Sequence, residues 1–227
     1  MISKRTMLYL FVGLFLISTL PGCTLATVRT LDEDKASKQG FSGEDYVAQI
    51  WESKVLPTYQ EQAQDLPTLL ALIASNQQSA ITQYGHRSGT GPYSFMVKGE
   101  GKITRLDTTS RTGVLLVDLN PPDGTPDITL IIGPLIKISQ RAAVRDAVGF
   151  VEYGNFVNQQ EFADVANAMG DRITAMVATA LGAENVDAIR TLDPTSLEGK
   201  TIAFTGAFSL EKPDEVIIVP VDLKVLD

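Results

Sequence analysis

The segment NQQEFADVANAMGDRITAMVATAL, Asn158 to Leu181, carries the clearest secondary-structure signal in the chain. Phe162, Val165, Met169, Ile173, Met176 or Val177, and Leu181 recur every three or four residues, the spacing that places side chains on one face of a helix. Asn158 supplies an N-cap, Glu161 three residues later its capping-box partner, and Gly182 a C-cap. A stripe of this length calls for a sheet to pack against. The segments on either side therefore decide the fold class.

Upstream, Tyr93, Phe95 and Val97 alternate with Ser94, Met96 and Lys98 in a strand expected over Tyr93 to Arg105, with Gly99 and Gly101 marking a bend or bulge. Gly113 to Leu119 reads as a second strand, Asn120 to Pro126 as a turn and Ile128 to Ile132 as a third strand, which Leu135 to Ile138 extends past Gly133-Pro134. Arg141 to Val151 reads either as a short helix or as an irregular crossover. Downstream come a short helix near Glu184 to Arg190 and two strands, Thr201 to Phe208 and Val216 to Val225. Three strands, a helix and two strands is the element order of an OB-fold. The expected class is α+β: an OB-like five-stranded barrel over residues 85–227, with its helix at 158–181.

Residues 42–84 form an expected N-terminal helical extension of the same domain. Ser42 caps a first helix, Glu44 and Asp45 fill its first turn, Tyr46, Val47, Ile50, Trp51 and Val55 give its stripe, and Pro57 ends it. Asp65 and Pro67 start a second helix near Leu66, with Leu69, Leu70 and Ile73 on its apolar face. Gly85 to Pro92, with three glycines and a proline, is a loop.

The start of the chain has a different character. Lys4 and Arg5 precede an uncharged apolar run from Met7 to Leu20, shorter than the about 20 apolar residues of a membrane-spanning helix. A basic start, a short apolar middle and a small residue at the end make a secretory signal over residues 1–22. Leu20-Pro21-Gly22-Cys23 resembles the lipobox of bacterial lipoproteins, in which the cysteine is lipidated and becomes the first residue. Cys23 is the only cysteine. The polar stretch that follows reads as a flexible tether over residues 23–41. No Asp stands next to Cys23, which points toward the outer membrane in enteric bacteria and leaves the choice of membrane open. The formal charge of −8 becomes −10 once Lys4 and Arg5 leave with residues 1–22. An acidic chain repels polyanions, which argues against nucleic acid as a partner.

One stretch is more distinctive than the rest: Val144-Arg145-Asp146-Ala147, Phe150, then Tyr153-Gly154-Asn155-Phe156-Val157-Asn158-Gln159-Gln160-Glu161-Phe162-Ala163. Together with the lipobox, the Gly85–Gly101 region, Gly199-Lys200-Thr201 and Gly206-Ala207-Phe208, it resembles the predicted periplasmic lipoproteins catalogued as domain of unknown function DUF2291. The resemblance covers essentially the whole chain. It implies an OB-like barrel and, because members are often encoded beside sugar-uptake ABC transporters, a transporter component as a possible partner. It implies no established activity. Gln140-Arg141 departs from the small Gly-Thr-like pair expected before the Arg-Asp motif.

Candidate ligand-binding residues are Arg145, Asp146, Asn158 and Gln159. Arg145-Asp146 reads as a structural hub, the guanidinium on carbonyls and the carboxylate capping a turn, or as a clamp on the hydroxyls of a polar ligand. Asn158 reads as a cap or as a ligand contact. No catalytic residues are assigned. His86 is the only histidine, Ser88 beside it makes no triad, and Gly-x-Ser-x-Gly is absent. One histidine and one lipidated cysteine leave almost no ligands for zinc. Asp118, Asp123 and Asp127 lie near one turn but lack EF-hand spacing. No metal and no cofactor is expected. The expected function is that of a lipid-anchored, periplasm-facing, non-enzymatic binding or accessory module. The alternatives are an envelope carbohydrate hydrolase using unrecognised carboxylates and a purely structural scaffold.

Overall fold

A computed structural model describes residues 40–211 and 215–226. The signal segment, Cys23 and nearly all of the expected tether lie outside the described residues.

The described residues open with three helical pieces. Ser42 caps α1 (Gly43–Ile50), its hydroxyl accepting the Asp45 N–H at 3.1 Å. Pro57 does not end this helical region as expected. A wide turn over Trp51–Val55, in which the Leu56 N–H reaches back to the Trp51 carbonyl, takes the bend. Pro57 then sits in the first turn of α2 (Leu56–Gln62), where a missing N–H leaves no bond unmade. Asp65 caps α3 (Leu66–Tyr84) through the Thr68 N–H at 3.1 Å, and Asn76 interrupts that helix with φ −157° and ψ 79°.

The strands are β1 (Gln64–Asp65), β2 (Ser94–Asp107), β3 (Val114–Leu119), β4 (Ile128–Ile131), β5 (Thr201–Ser209) and β6 (Ile217–Val225). They form one six-stranded sheet in the order β1-β2-β3-β4-β6-β5, and β2 also pairs with β5. Five strands, β2 to β6, thus close a ring. Its pairs are antiparallel except for β4 with β6, where Thr129 lies opposite Ile217 and Leu130 opposite Ile218. The short β1 lies parallel to β2.

The long β2 is the spine of the ring, flanked by β5 over residues 94–102 and by β3 over residues 101–107. Gly99 and Gly101 do not mark a bulge, because pairing with β5 runs unbroken through both. They are sites of close approach instead. A Cβ on Gly99 would lie 2.8 Å from the Phe204 ring, and one on Gly101 would run into the Asp118 carbonyl. The irregularity falls at Thr104, between Ile103 and Arg105. Opposite one another on β2 and β5, Phe95 and Phe208 stack at 5.5 Å between centroids.

The segment from Leu135 to Ile138 does not extend β4. After Gly133 and Pro134 the chain turns into α4 (Ile138–Ala147), which settles the Arg141–Val151 region mainly as helix. The segment near Glu184 is a 3-10 turn, Asp187–Thr191. The long helix is α5 (Gln159–Ala180). Phe162, Val165, Met169, Ile173, Val177 and Leu181 are all buried, and α5 packs on α1, α4 and β6. Gly182, at φ 72°, closes it with N–H bonds from Gly182 to Thr179 and from Ala183 to Ala178. Among the described residues no helix is long and apolar enough to cross a membrane.

Candidate functional site

The last turn of α4 delivers Arg145 and Asp146 into a nearly dry position, each side chain 9% exposed. Arg145 Nε donates to Asp146 Oδ1 at 2.8 Å, Nη2 lies 2.8 Å from the same oxygen, and Nη1 donates to the Phe162 carbonyl at 3.0 Å. The guanidinium carbon stands 3.4 Å from the centroid of the Phe162 ring. Arg145 therefore ties α4 to the first turn of α5 through an ion pair, a carbonyl and an aromatic face.

Burial raises the Asp146 carboxyl above its ordinary value. The Arg145 charge, the hydrogen bond from Arg145 and a backbone N–H from Ser88 offset only part of that. Burial likewise lowers the Arg145 guanidinium, against the pull of Asp146. Burial thus works against both charges, and the ion pair, the Phe162 carbonyl and the Phe162 ring offset it. Fully buried Tyr59 donates to the Val144 carbonyl at 3.0 Å, and burial followed by the Asp146 charge pushes its phenol well up.

The Ser88 bond brings the glycine-rich loop onto Asp146, and a cavity of about 580 Å³ lies between them. Its walls include His86, Arg87, Ser88 and Tyr93 on one side and Asp146, Glu152 and Tyr153 on the other. The loop is tied at its base, where His86 and Ser94 exchange backbone hydrogen bonds of 2.9 and 2.7 Å. Arg87 lies over the Tyr93 ring at 4.5 Å. Gly149, at φ 74°, lets the chain turn after α4, and a Cβ there would meet His86 Nδ1 at 2.8 Å. That position needs glycine both for its backbone and for its neighbour. The volume falls in the range of about 300–1,000 Å³ typical of small-ligand sites, with a rim of donors, acceptors and two tyrosine rings.

The four sequence candidates separate in space. Asp146 lines the cavity, and Arg145 stands behind it. Asn158 caps α5, accepting the Glu161 N–H at 2.9 Å, while Glu161 accepts the Val157 N–H at 3.1 Å and the Asn158 side chain at 3.3 Å. Asn158 and the exposed Gln159 do not line this cavity. Sequence reasoning did not single out Glu152, Arg87 or Tyr93; the signal pointing to them was the glycine-rich loop and the Tyr153-Gly154 stretch. The carboxylates near the 120–126 turn are engaged by backbone. Asp118 accepts the N–H groups of Asp123 and Gly124, and Asp127 accepts that of Leu119. Among the described residues no group of three or more His, Cys, Asp or Glu side chains could hold a metal ion. Gln140, at the departure from the expected pair, accepts the Lys137 N–H at the start of α4, and Arg141 donates to Asn167 on α5.

The fold and the cavity define an α+β protein in which a five-stranded ring, braced by helices, carries a polar pocket at one end of its longest strand. The arrangement is similar to the crystal structure of an OB-fold protein from Thermotoga maritima, with a TM-score of 0.62 and 14% identity, covering 83% of this chain and 100% of that one. That likeness concerns the fold alone. The chain belongs to the family described as predicted periplasmic lipoprotein (DUF2291), whose model matches residues 13–224. The family description is consistent with a place in the cell envelope. No curated protein matches the chain in sequence.

Proposed function

We propose that the chain is a lipid-anchored envelope protein, cleaved before Cys23 and facing the periplasm, whose OB-like barrel is a non-enzymatic module that binds a small polar ligand. The observation that carries the reading is the cavity of about 580 Å³ between the Gly85–Tyr93 loop and the Asp146–Gly154 segment. Its tyrosine rings suit the apolar face of a sugar, and its charged groups suit hydroxyls. A role beside a sugar ABC transporter fits that chemistry, and recovery of transporter components with the protein from crosslinked membranes tests it. A lipid on Cys23 would hold the module at the membrane surface, where an uptake system works.

The experiment is a thermal-shift screen of the protein against sugars, polyols, nucleotides and calcium. A ligand at about 100 times its Kd adds roughly 2.7 kcal/mol, which at about 2–4 °C per kcal/mol is a readily measured shift. A sugar-class hit lost in Glu152→Gln, with the melting temperature of the free variant unchanged, supports the proposal. No shift across the panel refutes the small-ligand reading.

A second reading draws on one observation: Asp146 and Glu152, two carboxylates, share the cavity, as the acids of a carbohydrate hydrolase would. Asp146 is poorly placed to protonate a substrate because its carboxylate already accepts hydrogen bonds from the Arg145 guanidinium and the Ser88 N–H. Turnover on envelope glycans, abolished by Glu152→Gln at unchanged stability, would favour the enzyme.

A further inference from the structure

The segment from Tyr153 to Val157, whose first two residues line the cavity, also carries the most exposed large apolar residue among the described residues, Val157 at 90%. Tyr153 is 48% exposed and Phe41 36%. Tyr153 and Phe41 belong to one aromatic group, and Val157 follows its member Phe156 in the chain. Phe41 meets Phe156 edge-on at 5.5 Å and Tyr46 at 5.8 Å, Phe156 meets Phe162 at 5.6 Å, and Phe162 meets Tyr153 edge-on at 5.6 Å. Val157 is no loose tip, since its N–H is held by the Glu161 carboxylate at the capped start of α5. A rigid support thus presents a valine and a tyrosine outward, beside the partly exposed Phe41, the kind of grouping that marks an interaction surface when it is contiguous.

Where the chain leaves the domain identifies the cover. Phe41 is a member of this aromatic group, and Cys23 lies only 18 residues before it. That stretch spans at most about 65 Å when fully extended. We infer that the Phe41–Tyr153–Val157 face seats on the lipid surface that holds the anchor, so that the domain rests with the start of α5 against the membrane. The inference rests on the proposed lipidation of Cys23. Three apolar side chains among the acids Glu44, Asp45, Glu152 and Glu161 are too few to bind vesicles from free solution. An anchor changes that, because a tethered surface meets the bilayer at high effective concentration without any new contact. Val157 and Phe41 supply the apolar contact, and Tyr153 lies at the rim where this face meets the cavity.

The test uses the full chain, processed and lipidated in cells and reconstituted into phosphatidylcholine vesicles with brominated acyl chains. Val157→Trp places an indole in the face, and Leu226→Trp, at another exposed apolar position outside the group, is the control. Trp51 is buried and its signal is subtracted with the parent protein. Val157→Trp is expected to lose roughly half of its emission or more, as suits an indole seated about 5–10 Å into the headgroup boundary, while Leu226→Trp keeps its emission. Equal emission from both in protein that floats with the vesicles overturns the seating and leaves the anchor intact. Protein that stays soluble overturns the anchor, and the seating with it. If Val157→Trp is already shielded in an unlipidated Cys23→Ser background without vesicles, the chain itself covers the face and the seating is wrong.

Discussion

Arg145→Met isolates the contribution of the buried pair. The substitution keeps most of the side-chain volume but removes the charge, the bonds to Asp146 and to the Phe162 carbonyl, and the stacking on the Phe162 ring. What remains is a carboxylate 9% exposed with no cation beside it. Breaking a buried pair from one side costs about 3–5 kcal/mol, because the stranded charge remains desolvated. For a domain of this size about 2–4 °C accompany each kcal/mol, so the melting temperature is expected to fall by roughly 6–20 °C. The double variant Arg145→Met/Asp146→Asn keeps an acceptor for the Ser88 N–H and removes the stranded charge, and it is expected to melt well above the single variant.

The same argument fixes a pH dependence. The folded protein holds the Asp146 proton more tightly than the unfolded chain, because burial raises the carboxyl despite the Arg145 charge. Ionised Asp146 therefore costs stability above its folded value, and that cost is relieved as pH falls from there toward the ordinary carboxylate range. Without Arg145 the carboxyl rises further and the window widens. The melting deficit of Arg145→Met is thus expected to shrink on acidification. Exposed Asp107 and Asp193, whose carboxyls are lowered by hydrogen bonds from Thr109 and Thr195, lose stability as pH falls, but they do so in both proteins and cancel in the difference. Thermal denaturation of the three proteins across pH 4 to 8 measures all of this. A single-variant loss below about 1 kcal/mol, the range of exposed pairs, or a pH-independent deficit would refute the reasoning.

Asn158→Ala removes the cap of α5 and is expected to cost about 1 kcal/mol in denaturant unfolding, with ligand binding unchanged. Gly101→Ala drives a Cβ into the Asp118 carbonyl and the Val117 side chain; loss of soluble folded protein, read by circular dichroism, is the expected outcome. Asp118→Ala removes the acceptor of the Asp123 and Gly124 N–H groups; both residues are exposed, so water replaces it and the expected loss in denaturant unfolding is about 0.5–1.5 kcal/mol per hydrogen bond. Calcium is expected to leave the melting temperature of the parent protein unchanged, because that carboxylate already serves the turn.

The elements legible in the sequence were those with local signals. The stripe of α5, its Asn158 cap and the Gly182 stop are all short-range patterns, and the structure places each where the spacing put it. Pro57 was misleading because proline disfavours the interior of a helix but suits its first turn, and only the wide turn at Trp51–Val55 shows which applies. Gly99 and Gly101 carried a real signal with two causes, bulge or close approach, which only the neighbouring strands could separate. The cavity was half legible. Arg145 and Asp146 stood out and Tyr153 lay in the stretch that carries the resemblance, but Asn158 and Gln159 fall outside the cavity, its other wall comes from residues 85–93, and nothing in the spacing says that Ser88 meets Asp146.

That arrangement changes what a mutation at the Arg-Asp motif can prove. Arg145 lies behind the cavity, its donors occupied by Asp146 and the Phe162 carbonyl, whereas Asp146 holds the Ser88 loop that forms the opposite wall. Hub and clamp are therefore not alternatives at the same atoms. Loss of the guanidinium would disturb the loop, the Phe162 ring and, through Tyr153, the far rim, so a binding defect in Arg145→Ala follows even if no ligand atom touches Arg145. Glu152, Arg87 and Tyr153 line the cavity without tying α4 to α5. Binding that fails in Glu152→Gln or Tyr153→Ala while the fold melts unchanged identifies a contact, and binding that fails only together with stability identifies a support.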